Sequence, residues 1–128
     1  MNYLGRVIIL VHDYDEAFAF YEKSFGFKKI VDYTTQSGQR FLHIGADSKN
    51  ETGIWFLKAD TQEQRSHVGN QTSGQPTLVI YTSSLETLHR NLERQGVQIK
   101  VEPAVTRDYK FFHCYDLYGN EIIVVQLT

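Results

Sequence analysis

The chain has 128 residues, of which 41% are hydrophobic and 22% charged, and its formal net charge is -2. This length suffices for one domain with a sizeable core. The small net charge produces no field that would attract nucleic acid or an anionic membrane, and no apolar run approaches the ~20 residues that a membrane-spanning helix needs. We therefore expect neither nucleic acid nor a membrane as a partner.

Cysteine usage and the amino-terminal sequence bear on the compartment. Cys114 is the only cysteine, so no internal disulfide can form. The opening residues MNYLGRVIILVHD lack the basic start, the long apolar run and the small-residue cleavage site of a signal peptide. A cytoplasmic location is the expectation that follows.

The first predicted element is a strand over residues 6 to 11, which is almost wholly apolar and is therefore expected to be central and covered on both faces. A helix follows, because Asp13 can cap it and Glu16 can complete a capping box. Gly26 suits a left-handed C-terminal cap. The apolar residues at steps of three and four that should face a sheet are Tyr14, Ala17, Phe18, Tyr21 and Phe25.

Three more strands complete the first module. They are predicted at residues 28 to 33, 40 to 44 and 53 to 58, separated by segments rich in turn-forming residues at 34 to 39 and 45 to 52. The order is βαβββ.

The same order recurs after a polar stretch. Residues 59 to 76 have no hydrophobic period and contain glycine and proline breakers, which predicts a linker. Beyond it we predict a strand at 77 to 82, a helix that starts with a capping box of Ser83 and Glu86, and a strand through Ile99 and Val101. The helix presents Leu85, Leu88 and Leu92 on one face and ends at Gly96.

Residues 110 to 126, KFFHCYDLYGNEIIVVQ, read as a β-hairpin that closes the second module. The turn is predicted from Gly119 and Asn120, which accept positive φ readily, and from Asp116, whose side chain can bond the backbone ahead of it. The flanking runs are aromatic and β-branched, as strands prefer.

The two halves share landmarks at one offset. Each pair is separated by 70 positions, which indicates that the chain consists of two copies of one module. The pairs are Asp13/Ser83, Glu16/Glu86, Gly26/Gly96, Phe41/Phe111 and His43/His113.

The segment VHDYDEAFAFYEKSFGF resembles the opening strand and helix of the vicinal oxygen chelate superfamily, which includes glyoxalase I, bleomycin-resistance proteins and extradiol dioxygenases, and DLYGNEI is similar to its closing turn. The resemblance implies an α+β domain in which two tandem βαβββ modules form curved mixed sheets around a shared cavity, with the helices outside. It also implies a homodimer. Residues 1–128 would form this single domain, with module one at 1–60, a linker at 61–75 and module two at 76–128.

Metal-using members of the superfamily take ligands from the first and last strands of each module. The positions that correspond here are Arg6, Trp55, Thr77 and Ile123. Arginine cannot be deprotonated to bind a metal, Trp and Ile offer no lone pair, and a lone Thr hydroxyl is a poor ligand. We therefore expect no metal at the usual site and no cofactor.

Strand alternation defines the lining of such a cavity. If Arg6 faces inward, Ile8 does too, and the same parity groups Phe41 with His43, Phe111 with His113, and Thr77 with Tyr81. Aromatic rings, imidazoles and one guanidinium suit a planar or aromatic acid paired to Arg6. The alternatives are a solvent-facing Arg6 and ordinary core packing for the rings. The predicted ligand-binding residues are Arg6, Ile8, Phe41, Trp55, Thr77, Tyr81, Phe111 and Ile123.

Two functions remain open at this point, together with a scaffold whose own side chains fill the cavity. One is a metal-free small-molecule binding protein that acts by sequestration. The other is an enzyme of lyase, isomerase or dioxygenase type that uses His43 or His113 as a general base or in an unorthodox metal site. His12, His67 and His89 are expected to be solvated, and Cys114, on the opposite strand face from His113, is expected to be an inert core thiol.

Overall fold

The computed structural model describes residues 1–47 and 52–128, and the chain divides into two compact units, Met1–Val68 and Gly69–Thr128. The predicted turn at 45 to 52 falls in part on residues 48–51, which lie outside the described residues. Over the described ranges, no helix has the length and apolar composition needed to cross a membrane.

The first unit contains one four-stranded mixed sheet in the order β1-β4-β3-β2. Strand β1 is parallel to β4, and the other neighbouring strands are antiparallel. The elements are β1 (Arg6–Val11), α1 (Tyr14–Phe25), β2 (Lys28–Thr34), β3 (Arg40–Gly45), β4 (Gly53–Lys58) and α2 (Gln62–His67).

The second unit repeats this topology, with strand order β5-β8-β7-β6. Its first and last strands are parallel neighbours, like those of the first unit. The elements are β5 (Leu78–Tyr81), α3 (Leu85–Arg94), β6 (Ile99–Val105), β7 (Tyr109–Tyr115) and β8 (Glu121–Leu127). The predicted α+β class with two βαβββ modules and mixed sheets is confirmed.

Each unit buries one face of its sheet. In the first unit this face packs with α1, whose buried residues include Ala17 and Tyr21. Tyr21 and Phe56 are fully buried and their ring centroids are 5.8 Å apart; burial of one such side chain contributes about 1.5–3 kcal/mol. The remaining buried apolar residues of this sheet are Ile9, Val11, Leu42, Ile44 and Ile54. The second unit buries Leu85, Leu92, Phe112, Cys114, Ile122 and Val124.

The helix ends agree with the sequence at three of the four predicted positions. The Asp13 side chain accepts from the Glu16 N–H, and Gly26 and Gly96 have φ of 73° and 79°. The predicted Ser83/Glu86 capping box is wrong. The N-cap of α3 is Ser84, whose side chain makes no capping hydrogen bond, and the Leu85 N–H instead donates to Gln126 Oε1 at 2.8 Å. A side chain from β8 therefore satisfies this helix end.

Strand β1 is not central, contrary to the prediction. It lies at the edge of its sheet, where it pairs only with β4 among the described strands, and Ile8 is 47% exposed. The apolar run was misread because only alternate residues pack in the core that the helix covers. Ile9 and Val11 are buried there, whereas Ile8 and Leu10 lie on the opposite face of the sheet.

The predicted hairpin turn is confirmed and is built around Asp116. The Asp116 side chain accepts from the backbone N–H groups of Tyr118 and Asn120, each at 2.9 Å, and from Asn120 Nδ2 at 2.9 Å. Only Gly119 has a positive φ in this turn, at 96°. Asn120 was assigned the wrong role, because it is 1% exposed and serves as a hydrogen-bond donor to Asp116.

The predicted linker contains a helix that the sequence analysis missed. Helix α2 begins with a capping box, in which the Thr61 side chain accepts from the Gln64 N–H and Gln64 Oε1 accepts from the Thr61 N–H. The Thr-x-x-Gln spacing was the available signal. The six-residue helix has no buried residue, which is why it has no hydrophobic period.

Candidate ligand sites on the open sheet faces

The face of the first sheet opposite α1, called here the open face of the first sheet, carries the predicted site residues of that unit. Register places Ile8 beside Trp55, and Trp55 beside His43. Alternation puts Phe41 on the same side as His43. Its residues are Arg6, Ile8, Leu10, Phe41, His43, Trp55 and Leu57, and most of them are half-buried.

Aromatic rings form a continuous chain across this face. The Tyr33 and Phe41 rings are stacked with centroids 5.1 Å apart, and Phe41 and Trp55 lie 5.6 Å apart. The His43 imidazole is 4.7 Å from the Trp55 ring. These separations are typical of favourable aromatic pairs. Sequence parity did not place Tyr33 here, because β2 was not used to define the lining.

Arg6 and His43 are directly hydrogen-bonded. Arg6 Nε donates to His43 Nδ1 at 3.1 Å, and the guanidinium also donates to the Gly5 carbonyl at 2.9 Å. Because a guanidinium can only donate, Nδ1 must carry the lone pair and Nε2 the hydrogen. Burial and the Arg6 charge both lower the pKa of His43. His43 is therefore held neutral.

Two buried donors on this face find no acceptor among the described residues. They are Nε2 of His43 and Nε1 of Trp55. A buried N–H without a partner costs about 1–3 kcal/mol, so such atoms are rare in folded proteins unless they serve a ligand. The two donors belong to adjacent rings, whose centroids are 4.7 Å apart.

A groove of about 960 Å³ adjoins one end of this face through Leu10 and Leu57. Its size is within the range of small-molecule sites. The rest of its wall is largely polar and includes Tyr14, Arg40, Lys58, Asp60 and Gln64. Arg40 is held by Asp32 and Asp15, at 2.9 and 3.0 Å. The sequence analysis missed this groove, because its wall combines residues from several elements that are distant in the sequence.

The open face of the second sheet, opposite α3, carries the other predicted residues. His113 lies beside Ile123, which lies beside Val79, and Phe111 lies beside Val125, which lies beside Tyr81. Tyr81 is 69% and Val79 55% exposed. Thr77 precedes β5, and its backbone N–H donates to the Glu121 carbonyl at 2.8 Å. Phe111 and His113 rings are 5.8 Å apart.

Glu121 is the functional candidate that sequence reasoning missed. Its side chain is only 6% exposed, and its two oxygens lie 2.7 Å from Lys100 Nζ and 2.7 Å from His113 Nδ1. The Lys100 ammonium, and secondarily the His113 ring, keep the pKa of Glu121 below its usual value against the opposing effect of burial. The carboxylate stays ionised, and His113 Nδ1 must donate to it. Glu121 and Ile123 are two residues apart on one strand and therefore share a face, and this alternation was the sequence signal that could have identified Glu121.

Cys114 and His89 are two further reactive side chains whose surroundings were predicted from the sequence. Cys114 is fully buried on the face opposite His113, and burial raises its pKa to about 12, which confirms the predicted inert thiol. The prediction that His89 is solvated is wrong. Its side chain is 12% exposed, lies edge-on to Phe112 and sits between Glu93 and Glu102, at 3.5 and 3.2 Å.

Comparison with known proteins places this chain in a family. The family model described as the Glyoxalase/Bleomycin resistance protein/Dioxygenase superfamily matches residues 3–124. The chain belongs to that superfamily. This confirms the resemblance carried by the helix signature and the closing turn.

Proteins similar to this superfamily member have low sequence identity to it, and the solved structures among them share its fold. An uncharacterised protein from Shewanella frigidimarina (strain NCIMB 400) is 28% identical over 125 residues, which cover 96% of this chain and 92% of that relative. The crystal structure of UcmS2 has a TM-score of 0.82 at 23% identity and 98% coverage of both chains. TnmS3, an antibiotic binding protein from Streptomyces sp. CB03234, has a TM-score of 0.79 at 20% identity, covering 100% of this chain and 98% of TnmS3.

The metal that many superfamily members use does not fit the residues present here. Arg6 donates to His43, and the Trp55 indole nitrogen carries a hydrogen and can only donate. Ile123 has no donor atom, and Thr77 offers only a hydroxyl. Within residues 1–47 and 52–128, the His/carboxylate group with metal-compatible spacing is His89, Glu93 and Glu102, which are carried by α3 and β6 rather than by the strand positions of the usual site.

Proposed function

We propose that this superfamily member is a metal-free small-molecule binding protein, and that a planar aromatic acid binds on the open face of the first sheet. The observation that carries the proposal is the pair of buried donors, His43 Nε2 and Trp55 Nε1, without an acceptor among the described residues. One oxygen of a carboxylate, placed between them, would receive both hydrogen bonds.

The charge on this face favours an anion. The Arg6 guanidinium bonds the far side of the His43 ring, so it polarises the Nε2–H toward a ligand. A hydrogen bond with a charged partner contributes about 1.5–3 kcal/mol, roughly twice a neutral one. Arg6 therefore acts through His43 as well as by its field, which the sequence alone did not predict.

The aromatic chain supplies the apolar part of the site. Phe41, Trp55 and Tyr33 lie at stacking distances from one another and remain partly exposed, so a flat ring can extend the stack. Ile8, which is 47% exposed, adds apolar area at the edge strand. TnmS3, which shares the fold, is an antibiotic binding protein, and this supports binding of a small molecule by the same architecture.

The test compares the binding of 2-naphthoate with that of its neutral analogue 2-naphthamide. Binding is measured by the quenching of the fluorescence of Trp55, the only tryptophan, and by the shift in melting temperature. We expect the acid to quench Trp55 and to stabilise the protein. Arg6→Ala should weaken the acid by roughly tenfold to a hundredfold and the amide much less.

Arg94→Ala is the matched control, because Arg94 is an exposed arginine on α3 whose side chain bonds Asn91 one turn earlier on the same helix. It should leave both ligands unaffected. Equal losses for acid and amide in Arg6→Ala, or no Trp55 response to any planar acid in a wider set, would contradict the proposal.

A further inference from the structure

The duplicated histidines have partners of opposite charge. His43 Nδ1 receives a hydrogen bond from the Arg6 guanidinium, whereas His113 Nδ1 faces the Glu121 carboxylate at 2.7 Å. The register explains the difference. In the second sheet His113 is the neighbour of Ile123, and Glu121 lies two residues before Ile123. In the first sheet His43 is the neighbour of Trp55, and Gly53 lies two residues before Trp55.

No side chain fits at Gly53. A Cβ there would lie 2.5 Å from the Ile44 carbonyl oxygen and 2.8 Å from Ile30 Cδ1. The Arg6 side chain instead passes this position, with its Cδ 3.5 Å from where the Cβ would be. The first sheet therefore places a cation beside its histidine, and the second sheet places a carboxylate there.

We propose that His113 is a proton acceptor for a weakly acidic hydroxyl group of a small molecule, such as a phenol or an enol, and that Glu121 is the positioning residue that makes it one. This site lies on the second sheet and does not depend on the ligand site proposed for the first.

The tautomer of His113 follows from its contacts. Glu121 receives the Nδ1 hydrogen, so the lone pair of the neutral ring is on Nε2. Nε2 has no hydrogen-bond partner among the described residues, and the His113 side chain is 19% exposed, so a ligand can reach it. A carboxylate that orients an imidazole in this way is a common arrangement for a general base.

The proton step balances within the site. The O–H bond of the ligand breaks, its electron pair stays on oxygen, and the proton forms a new N–H bond at Nε2. The imidazolium that results is paired with the Glu121 carboxylate, which Lys100 holds in place at 2.7 Å on its other oxygen. A further titratable group on this face is Tyr115, which pairs with Glu121 in the register.

His43 cannot act as a proton acceptor in the same way. Its Nδ1 lone pair is already used by Arg6, its Nε2 carries the hydrogen, and protonation would place an imidazolium beside a guanidinium. The sequence treated the two histidines as equal candidates, and the structure assigns the acceptor role to His113.

The first experiment is nitrogen NMR of the imidazole rings in the wild-type protein. We expect His113 to carry its hydrogen on Nδ1 and His43 to carry it on Nε2. A neutral His113 that has its hydrogen on Nε2 would overturn the proposal without recourse to any variant.

The second experiment uses 4-nitrophenol, whose ionised form absorbs at longer wavelength, at a pH where the free probe is mostly protonated. We expect the bound probe to be ionised, and the ionised bound fraction to fall roughly tenfold or more in Glu121→Gln, since a charge-assisted bond is lost. His113→Gln should abolish ionisation, and 4-nitroanisole, which has no hydroxyl, should show no such change.

Glu86→Gln is the matched control, because Glu86 pairs with Lys110 at 2.9 Å as Glu121 pairs with Lys100, and in the described part of the chain no histidine is hydrogen-bonded or ion-paired to it. It should leave the probe response unchanged. Binding of 4-nitrophenol in its protonated form only, or ionisation that persists in a folded His113→Gln variant, would refute the assignment.

Discussion

Arg6 donates a hydrogen bond to His43 at 3.1 Å, whereas the equivalent histidine of the second sheet, His113, has a carboxylate at 2.7 Å on the same ring atom. Two copies of one strand arrangement thus hold their histidines in opposite tautomers. The first presents an N–H donor and the second a lone pair. The different partners are supplied by Arg6, which lies beside Gly53 in the first sheet, and by Glu121 in the second sheet.

Gly53→Ala tests the steric basis of that difference. A methyl group at this position would lie 2.5 Å from the Ile44 carbonyl oxygen and 2.8 Å from Ile30 Cδ1. We expect a loss of about 1–3 kcal/mol in the free energy of unfolding, the usual cost of overpacking. Denaturant unfolding measures it.

Gly5→Ala is the control for this variant, because a methyl group at Gly5 would meet no atom of the described residues within 4 Å and the residue immediately precedes β1. It should unfold close to the wild type. A Gly53→Ala protein as stable as the Gly5→Ala protein would show that the sheet opens enough here to accept a side chain, and would weaken the argument that glycine is required beside Arg6.

The buried Glu121 should make the stability of the protein depend on pH. Its pKa is lowered in the folded state, chiefly by Lys100, so the unfolded chain binds the proton more readily. The stabilisation is therefore present above the ordinary glutamate pKa of about 4.3 and is lost as the pH falls through the lower folded value.

Unfolding of the wild type and of Glu121→Gln, measured at neutral pH and in acid, checks this dependence. We expect Glu121→Gln to be less stable at neutral pH, and the difference to shrink in acid as the wild-type carboxylate becomes protonated. A difference that stays constant over the acidic range would mean that the loss comes from packing, and that the ion pair with Lys100 adds nothing.

Homodimer formation remains a prediction from the superfamily resemblance. The exposed apolar residues of the chain include Val79, Tyr81 and Leu127, which lie on β5 and β8. Sedimentation at micromolar concentration should show a dimer, and Tyr81→Lys should shift it toward monomer if this surface is used. A wild-type monomer under these conditions would contradict the prediction.

Local chemistry was enough to predict much of the fold. Asp13 and Gly26 mark the ends of α1 through hydrogen bonding and backbone φ, which depend on neighbours only a few residues away. Asp116 and Gly119 specify the closing turn for the same reason. The 70-residue offset then indicated two copies of one module, and strand alternation correctly grouped Phe41 with His43 and Phe111 with His113 on their faces.

The tertiary structure decided what those faces can do. The Arg6 to His43 bond joins residues 37 positions apart, and the Lys100 to Glu121 pair joins residues 21 apart. Such contacts depend on which strands are neighbours and on their register, neither of which alternation along one strand specifies. The sequence analysis could not predict the edge position of β1 or the capping of α3 by Gln126 for the same reason. A sequence records which side chains share a strand face, but the tautomer and charge of each histidine depend on the partner that strand pairing brings to it.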